Sequence, residues 1–201
     1  MRLIGLTGGI STGKTTVANC LLQTYQVPIW DADVYAREAV QPGSPILDQL
    51  INRYGSTILL QTGQLDRQQL GQIIFHDAAE RCWVEKQIHP FVRDRFYQNI
   101  THFQQQERQN IAALVIPLLF EARMSDLVTE IWVVYCSAQQ QLSRLIKRHQ
   151  GSLSLEQAQA RIESQMPLAE KCQQADIILD NSGDLQQLFQ QINQALLSAT
   201  A

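Results

Sequence analysis

Ten residues near the start of the chain, TGGISTGKTT from Thr7 to Thr16, constrain its fold more than any other stretch. They follow the apolar run Leu3 to Leu6, which suits a short buried strand. They lead into Lys14 to Tyr25, where Val17, Ala18, Leu21 and Leu22 recur at helical spacing. Three of the ten glycines in 201 residues fall within positions 8–13. Gly8 to Thr15 satisfies G-x-x-x-x-G-K-[ST], a pattern whose glycines let backbone N–H groups converge on an anion. The N-terminus of the following helix adds unpaired N–H groups and the positive end of a dipole. Lys14 brings a mobile charge to the outer phosphates, and the Thr15 hydroxyl suits Mg²⁺, a hard cation that takes oxygen. Chance alone produces the pattern in roughly one chain of this length per hundred. The strand before it and the helix after it are the context that a phosphate loop requires.

The bulk numbers limit what else the chain can be. Hydrophobic residues make up 45% and charged ones 17%, the balance of a globular domain. A net charge of −3 provides no global basic surface, so no nucleic-acid partner is expected and any anion site must be built locally. Cys20, Cys82, Cys136 and Cys172 are far apart and show no zinc spacing; they are expected to be buried, reduced thiols. The longest apolar run, Ile111 to Phe120, contains Pro117 and is too short to span a bilayer. The expectation is a soluble cytoplasmic protein without a membrane partner, acting as a monomer or small homo-oligomer.

Short apolar runs at Leu3–Leu6, Val27–Trp30, Ile111–Ile116, Ile131–Tyr135 and Asp176–Leu179 alternate with helical patterns. This order predicts an α/β fold: three layers, with a five-stranded parallel sheet flanked by helices. Pro45 is expected to start a helix that Gly55 closes, and Pro90 in HPFVRDRF to sit near the start of another. The core is expected over about 1–40, 110–145 and 174–201, with a helical insertion over about 45–108 and a lid over about 146–172. Ser154 to Gln157 reads as a helix-start box beside Gly151. Along the last helix, Leu185, Leu188, Phe189, Ile192, Leu196 and Leu197 are expected to face inward. Glutamine richness reads as a bias of exposed faces.

In parallel sheets ligands gather at the carboxyl ends of the strands, and Asp31-Ala-Asp33 falls there together with the glycine-rich loop. In an extended segment two residues apart face one side, so both carboxylates would point at one site. One of the two would organise Mg²⁺ through water, and the other would accept a proton from an attacking hydroxyl. Arg144 and Arg148 share a helix face, and from Leu142 to Lys171 five Lys and Arg outnumber three acids. A lid carrying these charges could neutralise a transferring phosphoryl group. Three classes stay open on the residues alone: a small-molecule kinase of this kind, a nucleoside or nucleotide kinase, and a non-catalytic nucleotide-binding regulator.

The blocks IGLTGGISTGKTTVA, DADVYAREAVQPGSP, GQLDRQQLGQIIF, IHPFV, IPLLFE, RLIKRH, ARIESQMP and ADIILDNSG follow one another in the order of the dephospho-CoA kinase family, which the chain resembles nearly end to end. The resemblance implies a P-loop kinase fold and transfer of the γ-phosphate of ATP to the ribose 3′-hydroxyl of dephospho-CoA, with Mg²⁺. It implies ATP phosphate contacts at Gly8, Ser11, Thr12, Gly13, Lys14, Thr15 and Thr16, and Asn181 near the adenine. Asp33 would be the general base, with Lys14, Arg144 and Arg148 as further catalytic groups. Asp31, Arg37 and His89 would join Asp33 on the acceptor side, and Thr15 with water-linked Asp31 would hold the metal. Two residues depart from the family pattern. Ser11 stands where glycine is common, so an ordinary φ is expected there, and His149 stands where an acid is expected after Arg148.

Overall fold

The computed structural model describes residues 1–105, 110–150 and 152–198. Five parallel strands form one sheet in the order β2-β3-β1-β4-β5: β1 (Arg2–Gly8), β2 (Ile29–Asp31), β3 (Ile111–Val115), β4 (Glu130–Tyr135) and β5 (Ile177–Asp180). The expected sheet is therefore present. β1 lies at its centre, paired on one side with β3 (Leu6 opposite Val115) and on the other with β4 (Gly8 opposite Val134). Its residues from Leu3 onward are buried on both faces, so the run reads as continuously apolar rather than alternating.

Compactness divides the chain into two units, Met1–Asp31 with Phe103–Ala201, and Ala32–His102. The first holds the sheet with α1 (Lys14–Tyr25), and its core joins Ile4, Leu6, Val17, Leu21, Trp132, Val134, Leu188 and Ile192. Burying a side chain such as Leu21 contributes about 2 kcal/mol relative to leaving it in water. The second unit is helical: α2 (Ala32–Glu38), α3 (Pro45–Tyr54), α4 (Arg67–His76) and most of α5 (Ala78–Gln104). Its separate core gathers Leu47, Leu50, Ile58, Leu65, Leu70 and Val84. Ser44 caps α3 through a bond from the Leu47 N–H, and Pro45 takes the first turn, as expected. The remaining helices are α6 (Ala138–Arg148), α7 (Leu155–Glu163), α8 (Leu168–Gln173) and α9 (Leu185–Leu197). Ser137–Gln140 and Ser154–Gln157 both form capping boxes. Gly151 and residues 106–108, on which parts of the lid and insertion expectations fall, lie outside the described residues.

Several expectations fail locally. Pro90 does not start a helix; it lies inside the 27-residue α5. Val84, Val92, Phe96 and Ile100 on that helix are buried, and this packing outweighs the one backbone donor that proline removes. On α9 the buried residues are Leu188, Ile192 and Ala195, while Leu185, Phe189 and Leu197 are exposed. The helix lies on the sheet along a stripe narrower than its apolar content. Leu22 on α1 is likewise exposed, because the buried stripe widens toward Cys20 on the other side of Leu21. Of the cysteines, Cys20 and Cys136 are buried, Cys172 is half-buried and Cys82 is exposed. Cys82 lies about 200° around α5 from buried Val84, which turns it outward.

Candidate active site

The phosphate loop connects β1 to α1 at the carboxyl edge of the sheet. Side chains cap α3, α4, α6, α7 and α9, but none caps α1; its N-cap is Gly13, in the left-handed region at φ 108°. A helix start leaves its first N–H groups without intrahelical partners, so an anion can fill that role here. A Cβ on Gly13 would collide with the Asn181 amide nitrogen, and one on Gly9 with the Gln141 amide nitrogen. Close approach of these two amides favours glycine at both positions, and the left-handed φ adds a second reason at Gly13.

Side chains also stitch the loop together from within. Thr12 is fully buried, and its hydroxyl donates to the Gly9 carbonyl at 3.0 Å. The Lys14 ammonium donates to the carbonyls of Gly8 at 3.1 Å and Gly9 at 2.7 Å, which holds it across the loop mouth. Thr15 is exposed on the first turn of α1, and the N–H of half-buried Thr16 bonds the Gly13 carbonyl. Ser11 corrects the sequence reading: its φ is 58°, the left-handed region that an ordinary residue avoids, and its buried Oγ has no partner among the described residues.

Asn181 follows β5 and is 6% exposed. Its side chain donates to the Thr12 carbonyl at 2.8 Å, and its own carbonyl accepts from Arg144 Nη2 at 2.9 Å. The structure thus brings Asn181 and Arg144 together with the loop. Arg144 Nη1 is buried and unpartnered among the described residues. Arg148, in the last turn of α6, is exposed; His149 caps that helix and its Nε2 lies 3.4 Å from Arg161 Nη1. Cys136 lies beside Arg144, and burial pushes its thiol pKa up.

The acid pair differs from expectation. Asp31 ends β2 opposite Val115, the residue that also pairs with Leu6 of β1. It is therefore level with the approach to the loop and two strand spacings away, roughly 10 Å. Asp33, however, is not in an extended segment, because α2 begins at Ala32 and Asp33 occupies its first turn. Strand alternation therefore does not place the two carboxylates on one side. The side chain of Asp33 is exposed at the dipole's positive end.

Within the helical unit, Arg37 lies in the last turn of α2, and Arg67 Nη2 reaches the Arg37 carbonyl at 3.5 Å. Burial, and then the Arg37 charge, lower the Arg67 pKa. His89 is half-buried, and burial holds its imidazole pKa below the ordinary value despite Glu85. Tyr35 and Phe96 are buried and meet edge to face with ring centroids 5.1 Å apart, a core role.

Three side chains take roles not foreseen in the sequence: Gln141, Gln165 and Lys171, the last counted above among the basic residues of the lid. Gln141, 4% exposed, donates to the Ile10 carbonyl at 2.9 Å. Gln165 accepts from the Ile10 N–H at 2.9 Å. Lys171, fully buried, pairs with Glu121 at 2.9 Å and donates to the Pro117 carbonyl at 3.1 Å. In a glutamine-rich chain nothing in composition marks two glutamines as different from the rest.

A family model described as dephospho-CoA kinase matches residues 2–187. A protein of Trichormus variabilis named dephospho-CoA kinase is 56% identical over 195 residues, covering 97% of this chain and 96% of its own. One from Synechocystis, with the same name, is 56% identical over 194 residues, covering 96% and 94%. Among solved structures, TT1252 from Thermus thermophilus is similar with a TM-score of 0.81 and 28% identity, covering 100% of this chain and 98% of its own. A shikimate kinase from Bacteroides thetaiotaomicron shares the fold at a TM-score of 0.56 and 14% identity, covering 100% and 99%.

Proposed function

The chain belongs to the dephospho-CoA kinase family, and from that premise we propose that it transfers the γ-phosphate of ATP to the ribose 3′-hydroxyl of dephospho-CoA, giving coenzyme A and ADP, the last step of coenzyme A synthesis. The observation that carries this reading is the uncapped start of α1 beneath a glycine-rich loop, with Lys14 across its mouth. The loop N–H groups and Lys14 hold the outer phosphates of ATP. The half-buried guanidinium of Arg144 offers a nitrogen unpartnered among the described residues to negative charge, and Arg148 adds a second cation on α6.

On the acceptor side, Asp33 orients the ribose hydroxyl and takes its proton as the oxygen attacks. The chain tethers it two residues beyond Asp31, the end of β2. Arg37 and His89 bind the anionic acceptor. The neighbouring cations Arg37 and Arg67 favour that assignment, since a diphosphate would relieve their repulsion. The donor set also suits Mg²⁺. The exposed Thr15 hydroxyl and the Asp31 carboxylate are hard oxygens, of the kind that Mg²⁺ takes directly or through the waters it retains. When bound, the cation would neutralise charge between the outer phosphates. Both substrates dissolve in water, which favours the cytoplasm as the place of action.

Asp33→Asn keeps size and removes basicity. Turnover with ATP and dephospho-CoA is expected to fall about 10²- to 10⁴-fold while ATP affinity stays within a factor of a few. Near-normal turnover in that variant would rule out Asp33 as the base. ADP released by the wild-type protein with nucleosides, but not with dephospho-CoA, would overturn the acceptor assignment.

A further inference from the structure

Three side-chain carboxamides converge on three backbone groups of the phosphate loop. Gln165 accepts from the Ile10 N–H at 2.9 Å, Gln141 donates to the Ile10 carbonyl at 2.9 Å, and Asn181 donates to the Thr12 carbonyl at 2.8 Å. They come from three places far apart in sequence: helix α6, the turn between α7 and α8, and the residue after β5. Between the clamped groups lies Ser11, in the left-handed conformation. We propose that Gln141, Gln165 and Asn181 form a carboxamide clamp whose role is to position the loop for ATP, fixing the peptide planes on either side of Ser11 so that the loop N–H groups aim at the phosphates.

The energies favour this reading. A left-handed conformation is unfavourable for a residue other than glycine. Three well-formed hydrogen bonds to the flanking peptide groups outweigh the strain of one such residue. The residue type is also informative. A carboxamide offers a donor and an acceptor without net charge. Carboxylates at these positions would repel the incoming phosphates. Ammonium or guanidinium groups could not accept from the Ile10 N–H.

The Gln141 and Gln165 arms sit in packed surroundings. A Cβ at Gly9 would overlap the Gln141 amide, so that glutamine fills the space directly against the loop. The Ile10 side chain packs on the cluster of Leu145, Leu153 and Ala158 that joins α6 to α7. Next to Gln165, the Met166 N–H donates to Glu121 at 3.0 Å, and Glu121 is held by buried Lys171. Loop geometry is thereby tied to the α6–α7 hairpin through Ile10.

The inference rests on the reading that the loop holds ATP, and the test separates the two. ATP dissociation constants are measured by titration without dephospho-CoA for the wild type, Gln141→Met, Gln165→Met, Gln165→Glu and a control on the exposed face of α6, Gln139→Met. Amide exchange at Ile10 is followed in the same samples. Each methionine variant of the clamp is expected to weaken ATP about fivefold to tenfold, with kcat at saturating ATP changed less than about threefold. Gln139→Met should match the wild type. In Gln165→Met the Ile10 amide loses protection; in Gln165→Glu, which keeps an acceptor, it stays protected, a rescue that general destabilisation would not produce. Folded Gln165→Met with wild-type ATP affinity and a protected Ile10 amide would overturn the clamp. Failure of the wild type to bind ATP would instead overturn the reading of the loop.

Discussion

Ser11 holds a conformation that its side chain opposes, at φ 58° with a buried Oγ that has no partner among the described residues. The sequence marked the position as a departure from glycine, but the conflict was resolved in the wrong direction. A local rule predicts an ordinary φ, and tertiary hydrogen bonds from Gln141, Gln165 and Asn181 override it. Replacing Ser11 with glycine removes about 1–2 kcal/mol of backbone strain and adds about 0.4–1 kcal/mol of unfolded-chain freedom. The expected net gain of about 0.5–1 kcal/mol corresponds to a rise of about 1–4 °C in the thermal midpoint. Scanning calorimetry checks it, and a lower midpoint would mean that the serine side chain supports the loop in a way its contacts do not reveal. The residues with chemistry written into their type and spacing, Lys14 and the glycines around it, were legible. The glutamines that hold the loop were not, because a carboxamide carries no signal until a backbone group is brought to it.

Elements were read well where one local rule acted alone. The bounds of α1 follow from its stripe and flanking loop, α3 from Ser44, Pro45 and Gly55, and α7 from its capping box. They were misread where packing decides. Pro90 is a strong local stop signal, yet α5 continues through it because buried residues on both sides, Val84 and Val92, fix the helix. The Asp31-Ala-Asp33 segment carries no signal that its strand ends after one acid and a helix takes the other. The cost of Pro90 should be measurable. Pro90→Ala restores a donor to the carbonyl one turn earlier and relieves the ring clash, and is expected to stabilise the helical unit by about 1–3 kcal/mol. Urea denaturation monitored at Trp83, on the same helix, reports the change. No gain would show that α5 has already bent to accommodate the ring.

At the scale of the whole molecule, two separate cores carry titrating groups of opposite kind. In the helical unit, burial lowers the His89 pKa, and the Arg53 and Tyr54 hydrogen bonds hold Glu80 at about 2. Both contributions are present above the unfolded values, 6.5 for histidine and 4.5 for glutamate, and are lost as pH falls through the folded ones. The His89 contribution fades first, below pH about 6.5, with Glu80 following between about 4.5 and 2. In the sheet unit the groups shifted by burial are Cys20, Cys136 and Cys172, all raised. Their stabilisation is complete below 9.0 and is lost as pH rises beyond it. Tyr54, raised to about 12, affects the helical unit only above 10.0. Acid should therefore weaken the helical unit first, and mild alkali the sheet unit first. The three tryptophans make this separable, since Trp83 lies in the helical unit and Trp30 and Trp132 in the other. With 5-fluorotryptophan incorporated, the urea midpoint of the Trp83 resonance should drop between pH 7 and pH 5 more than those of Trp30 and Trp132. Between pH 8.5 and pH 9.8 the order should reverse, and His89→Gln should remove most of the acid shift. Three resonances moving together at every pH would mean that the two cores unfold as one cooperative body and share the linkage of both.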